Sequence, residues 1–83
     1  MMPLSMMQVG EEKKVVKING KDETRRFLEN LGFACGSDVK VVSKISGNLI
    51  VQIRETRVAI DNAMANRIMV WLYLKGSIDL WEH

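Results

Sequence analysis

Cysteine, histidine, proline and long apolar runs are all scarce in this 83-residue chain. Each scarcity excludes something. The single cysteine, Cys35, rules out an internal disulfide, so packing must hold the fold, as suits a reducing compartment. The single histidine is the last residue, His83, where no neighbours fix it as a base or metal ligand. No run approaches the roughly 20 apolar residues that a membrane helix needs, so no membrane insertion is expected. Met1 to Met7 is apolar, but it lacks a basic flank and is interrupted by Pro3 and Ser5. It does not read as a secretory leader, and the cytoplasm is the expected address. Aromatic residues make up 6%, and the formal net charge is only +2, which argues against a dedicated nucleic-acid surface. Glycines occur without a G-x-x-x-x-G-K-[ST] loop, so no nucleotide site is expected.

What is present is a small soluble domain's composition, 47% hydrophobic and 27% charged. Six glycines cut it into short pieces, which favours β structure with small connecting helices. Lys14 to Ile18 reads as a strand with Val16 and Ile18 on one face and Val15 and Lys17 on the other. Lys13, Lys14 and Lys17 then read as a solvated strand edge. Asp22 to Leu31 reads as a helix capped by Asp22, with Phe27, Leu28 and Leu31 in one apolar stripe. Arg25 and Glu29 are spaced to pair across one turn. Gly32 supplies the left-handed stop, and Phe33 is expected to fold back on Leu28 in a Schellman arrangement.

Alternating segments follow. Asp38 to Ile45 places Val39 and Val41 inward, and Ser46-Gly47-Asn48 forms a hairpin loop. Leu49 to Arg54 places Leu49, Val51 and Ile53 on one face. Arg57 to Ile60 follows the tight Glu55-Thr56 connection, with Val58 and Ile60 inward. Asp61 to Arg67 is a helical turn capped by Asp61. Ile68 to Leu74 alternates again, with Trp71 and Tyr73 on the face opposite the core. The fold class expected is mostly β: a compact, partly open barrel with one inserted helix.

In this order and spacing the chain resembles the FeoA family of small proteins in bacterial ferrous iron uptake. The resemblance rests on Pro3-Leu4-Ser5 with Gly10, and on Arg25-Arg26-Phe27-Leu28 running into Leu31-Gly32-Phe33. It continues with Gly36 ahead of Val39-Lys40-Val41-Val42, and with Arg57-Val58-Ala59-Ile60 followed by Ala65, Ile68 and Val70. It spans residues 3 to 70 and implies an SH3-like barrel, similar to the C-terminal domain of the diphtheria-toxin-repressor class. Residues 1 to 70 would form that domain, and 71 to 83 an apolar extension packed on it. The resemblance also implies a partner, the FeoB membrane transporter with its cytosolic GTPase domain. Cys35 stands where the family usually has Pro before Gly36, and Glu55 where a Gly is common.

No constellation for catalysis emerges, so an enzyme is not expected. Cys35 has no second thiol or nearby histidine in sequence. The carboxylates form no pair on an apolar stripe. The crowded Met1, Met2, Met6 and Met7 read as an adaptable arm packed over the barrel rather than as thioether ligands. No cofactor is expected, and the only metal contact this composition allows is a weak, transient one with ferrous ion. The partner-interface candidates are Arg25, Arg26, Phe27, Trp71 and Tyr73, with Gly32 and Gly36 as structural turns. Competing readings are a metal-responsive binding domain and a small RNA-associated SH3-like barrel. The oligomeric state expected is a monomer or a weak homo-oligomer.

Overall fold

The structure, a computed structural model, describes residues 1–71. Tyr73, the apolar extension beyond Trp71 and the strand expected to reach Leu74 therefore lie outside the described residues. Six antiparallel strands run β1 Met2–Pro3, β2 Glu12–Ile18, β3 Asp38–Ile45, β4 Asn48–Ile53, β5 Thr56–Asp61 and β6 Ile68–Val70. One turn of 3-10 helix, Leu4–Met6, follows β1; helix α1 spans Asp22–Leu31 and the short α2 spans Asn62–Ala65. The sheet order is β1-β6-β2-β3-β4-β5, so among the described residues β1 and β5 are its edges and no strand pairing closes the barrel.

The β2 strand turns the corner of this sheet. Its first half pairs with β3, through Lys13↔Val39, and its second half with β6, through Val15↔Val70 and Ile18↔Ile68. The register shifts between Val15 and Lys17. Such a bulge bends a strand and reverses the side-chain parity beyond it. Val15 is buried and Ile18 packs against the core, although simple alternation puts them on opposite faces. Nor is β2 an edge. Lys13, expected in solvent, is 9% exposed because it shares the inward face of β2 with Val15 and lies opposite the buried Val39, and Glu11 Oε2 sits 3.9 Å from its ammonium.

A second register shift, between Val41 and Ser43 in β3, has the same effect. Val39 and Val41 point inward as expected, but past the shift Ile45 stands 57% exposed. Both hairpins use two-residue turns. Ile45↔Asn48 closes on Ser46-Gly47, with φ of 44° and 84°, the doubly left-handed geometry that matches strand twist. Ile53↔Thr56 closes on Arg54-Glu55. There the left-handed residue is Arg54, φ 56°, rather than Glu55.

Helix α1 begins at Asp22 as expected, but the residue in the capping position is Lys21, whose side chain makes no cap bond. Asp22 instead lies in the first turn, where its charge favours the helix dipole, and accepts from Arg25 Nη2 at 2.8 Å. That contact takes the place of the expected Arg25–Glu29 pair. The helix ends as the sequence predicts. Gly32 takes φ 114°, its N–H reaches the Glu29 carbonyl at 2.9 Å, and Phe33 N–H donates to the Leu28 carbonyl at 3.1 Å. These are the two bonds of a Schellman motif. Phe33 and Leu28 are both fully buried. Asp61 caps α2, its carboxylate accepting from the Met64 N–H at 2.8 Å.

The core gathers Val39, Val41, Val51, Ile53, Ile68 and Val70 from the strands, with Leu28 and Phe33 from the helix exit. Leu4 and Met7 complete it from the N-terminal arm, which packs as expected, while Met1 and Met6 stay exposed. Each large side chain buried here contributes roughly 1.5–3 kcal/mol.

Candidate functional site

The interface candidates on α1 divide by helix geometry. Leu28 is buried and Thr24 and Leu31 are half-buried, so 24, 28 and 31 form the inward row. Phe27, expected beside Leu28 in the stripe, lies off that row and is 52% exposed. The periodicity of three apolar residues could not fix the rotation of a helix whose inward row includes a threonine. Phe27 shares an exposed face with Glu23, Arg26 and Asn30, at the i, i+3, i+4, i+7 spacing of one helix side. Arg25 stands on the other flank, held by Asp22. The structure therefore sets Arg25 and Phe27 on opposite flanks, with Arg26 between them on a face that it shares with Phe27 on one side and with Arg25 on the other.

Trp71 follows β6, and its N–H donates to the Lys14 carbonyl at 3.1 Å. Its ring is half-exposed, on the opposite parity from the buried Val70. The Lys14 ammonium is turned to Asp38 Oδ1 at 2.9 Å, an exposed pair of the kind that contributes little to stability.

Gly36 serves as a structural turn. Ser37 N–H donates to the Ala34 carbonyl at 2.9 Å, and Gly36, at the third turn position, has φ 88°. Cys35 at the second position is not left-handed, so this is a type II turn. Two backbone bonds stitch it to β2: Gly36 N–H to the Val15 carbonyl and Val15 N–H to the Ser37 carbonyl, each 2.8 Å. Cys35 itself is exposed.

An open groove of about 560 Å³ lies beside this turn, lined by Glu12, Gly36, Ser37, Asp38, Lys40, Gln52 and Arg54. Glu12↔Lys40 and Lys40↔Gln52 are direct cross-strand neighbours, so unlike charges and an amide alternate across its floor. It lacks the apolar lining of a small-molecule pocket. Among the described residues no group of three or more His, Cys, Asp or Glu side chains converges as a metal cluster would require. No helix among them is long and apolar enough to cross a membrane.

Sequence reasoning missed a second exposed apolar group. Met6, Val9 and Ile45 are 66%, 57% and 57% exposed. Lys44 Nζ donates to the Ser5 carbonyl at 3.2 Å and Gly10 N–H to the Val41 carbonyl at 2.8 Å, which tie the N-terminal arm to β3. Ser5 Oγ also bonds the Asn66 side chain. The signal for Ile45 was hidden, because its exposure depends on the register shift in β3.

Comparison with known proteins gives a consistent result. Residues 2–71 match the family model described as FeoA domain. A relative from Methanocaldococcus jannaschii, named as an Fe(2+) transport protein A, is 33% identical over 70 residues, covering 84% of this chain and 85% of its own. The crystal structure of an iron uptake regulatory protein, FeoA, is 33% identical with a TM-score of 0.78, covering 84% of this chain and 93% of that one. A zinc complex of Stenotrophomonas maltophilia FeoA, described as a prokaryotic SH3 domain protein and put forward as a ferrous iron transport activating factor, is 30% identical. Its TM-score is 0.76, with 84% of this chain and 89% of that one covered. A manganese-dependent transcriptional repressor shares the fold at a TM-score of 0.75 and 21% identity, over 82% of this chain and 39% of its own.

Proposed function

The chain belongs to the FeoA family, and from that premise we propose that it is a non-enzymatic accessory protein of ferrous iron uptake that binds the cytosolic GTPase region of a FeoB-like membrane transporter. The observation that carries the reading is the exposed face of α1. A phenylalanine half in solvent next in sequence to an arginine, on the one full helix among the described residues, is the composition that binding hot spots favour. Phe27 supplies apolar area and Arg26 a charged, planar group that orients the contact. A domain of this kind acts by preferring one state of its partner and shifting the population toward it. Ferrous ion is the partner's cargo in this reading, and the accessory protein needs no metal centre of its own. The cytoplasm is the compartment in which that contact takes place.

The test is binding to the transporter's cytosolic domain at low and moderate salt. Phe27→Ala is expected to weaken binding by about thirtyfold, the equivalent of roughly 2 kcal/mol at a hot spot. Arg26→Glu should weaken it further at low salt than at moderate salt, and Arg25→Glu should matter less, because Arg25 is engaged with Asp22. Unchanged affinity in folded Phe27→Ala and Arg26→Glu variants would move the contact off α1. No association of the wild type with the cytosolic domain or the whole transporter would end the adaptor reading.

A further inference from the structure

The two edges of the sheet are built differently. β1 is two residues long and contains Pro3, which blunts it as a template for pairing. β5 is six residues long, pairs with β4 without a register shift, and contains no proline. Among the described residues no other strand pairs with it. The two-residue turn makes Ile53↔Thr56 a hydrogen-bonded pair, so Thr56, Val58 and Ile60 direct their N–H and C=O groups to β4. The N–H and C=O groups of Arg57 and Ala59 and the N–H of Asp61 then point away from the sheet, while the Asp61 carbonyl, at the N-cap of α2, accepts the first bond of that helix; all three residues are exposed.

We propose that β5 pairs with β5 of a second copy of this chain, antiparallel about a two-fold axis at Ala59. One register pairs the opposite charges of the strand while keeping its two faces matched. Val58 and Ile60 face the core, whereas Arg57, Ala59 and Asp61 face solvent. A slip of one residue would set core-facing against solvent-facing side chains. A slip of two would set Arg57 or Asp61 opposite Ala59 and lose both charge pairs, and a slip of four would place Arg57 opposite Arg57, or Asp61 opposite Asp61, where like charges directly opposite are destabilising. Centred on Ala59, the strand sets Arg57 opposite Asp61 of the second copy, twice by symmetry, and Val58 opposite Ile60. The smallest side chain of the strand sits on the axis, where two copies approach each other. Asp61 Oδ1 is engaged by the Met64 N–H, which leaves Oδ2 for the arginine. The interface is isologous, as a closed dimer requires. It is also small, so the dimer is weak and concentration-dependent.

Sedimentation equilibrium of the full chain from about 10 µM to 1 mM tests this, the range in which small interfaces populate. The expected result is a mass rising toward twice the 9.5 kDa of one chain. Ala59→Pro removes an outward N–H and leaves the β4 ladder intact, and it should abolish the rise. Arg57→Glu should weaken dimerisation by tenfold or more. Asp61→Asn keeps a capping side chain and should weaken it several-fold. In case Ala59→Pro does not fold, amide exchange of the wild type provides a second readout. Protection of Arg57, Ala59 and Asp61 should increase with concentration. A wild type that stays monomeric at 1 mM, dimerisation that is indifferent to Arg57→Glu and Asp61→Asn, or protection that rises elsewhere would each overturn the proposal.

Discussion

Two glycines four residues apart, at the exit from α1 and in the turn before β3, show how one backbone requirement has different consequences in different surroundings. Gly32 and Gly36 both adopt left-handed φ, 114° and 88°. A Cβ placed on Gly32 would meet Ile53 Cγ1 at 3.2 Å, while a Cβ on Gly36 would meet nothing within 4 Å. Gly32 is required twice, by conformation and by space; Gly36 is required by conformation alone. Ile53 is fully buried in the core, so it cannot swing aside.

Substitution at Gly32 is therefore the largest effect expected. Gly32→Ala carries about 1–2 kcal/mol for the left-handed conformation and roughly 1–3 kcal/mol for overpacking against Ile53. For a domain of this size the sum is a large share of total stability. Urea unfolding should show a midpoint far below wild type. A loss under 1 kcal/mol would show that α1 can re-dock without its close approach to Ile53. Gly36→Ala should cost less. Only the conformational penalty of about 1–2 kcal/mol applies there, and the restriction that alanine places on the unfolded chain, roughly 0.4–1 kcal/mol, offsets both variants alike. If both variants lose the same stability, the contact with Ile53 is not what distinguishes the two sites.

This pair also marks what could be read from residues alone. The Leu31-Gly32-Phe33 stop was legible because a Schellman motif is local, and its bonds connect residues five apart at most. The limits of α1 and β3 and the cap at Asp61 were legible for the same reason. The close approach of Ile53 to Gly32 was not, since it joins two elements distant in sequence. Lys13 was misread likewise, because only the pairing of β2 with β3 sets it opposite the buried Val39 on the inward face. Val15, Ile18 and Ile45 were read with the wrong parity or none, as a bulge leaves no trace in an alternating pattern. The interface candidates were legible as residue types. Which of them face solvent was not, for the rotation of α1 that buries Leu28 and turns Phe27 outward is fixed by packing.

The smallest effect, and the one of opposite sign, falls on the residue between the two glycines that completes the second turn. Cys35 occupies the second position of the type II turn, where proline's fixed φ is already the required one. Cys35 N–H takes part in none of the bonds that stitch this turn to Val15, so proline would remove no donor in use. Its exposed side chain makes no contribution to the core. Proline also disfavours helical conformation in the residue before it, and Ala34 lies beyond the end of α1, where that restriction does no harm. Cys35→Pro should therefore stabilise the domain by about 0.4–1 kcal/mol, through fewer states in the unfolded chain rather than new contacts in the folded one. The same substitution in Gly36→Ala should recover less than in wild type, since a turn already strained at its third position gains less from a preset second. Thermal unfolding of the four proteins measures both claims. A destabilised Cys35→Pro would mean that the second position does not hold the φ that proline demands, and the assignment of a type II turn would fall with it.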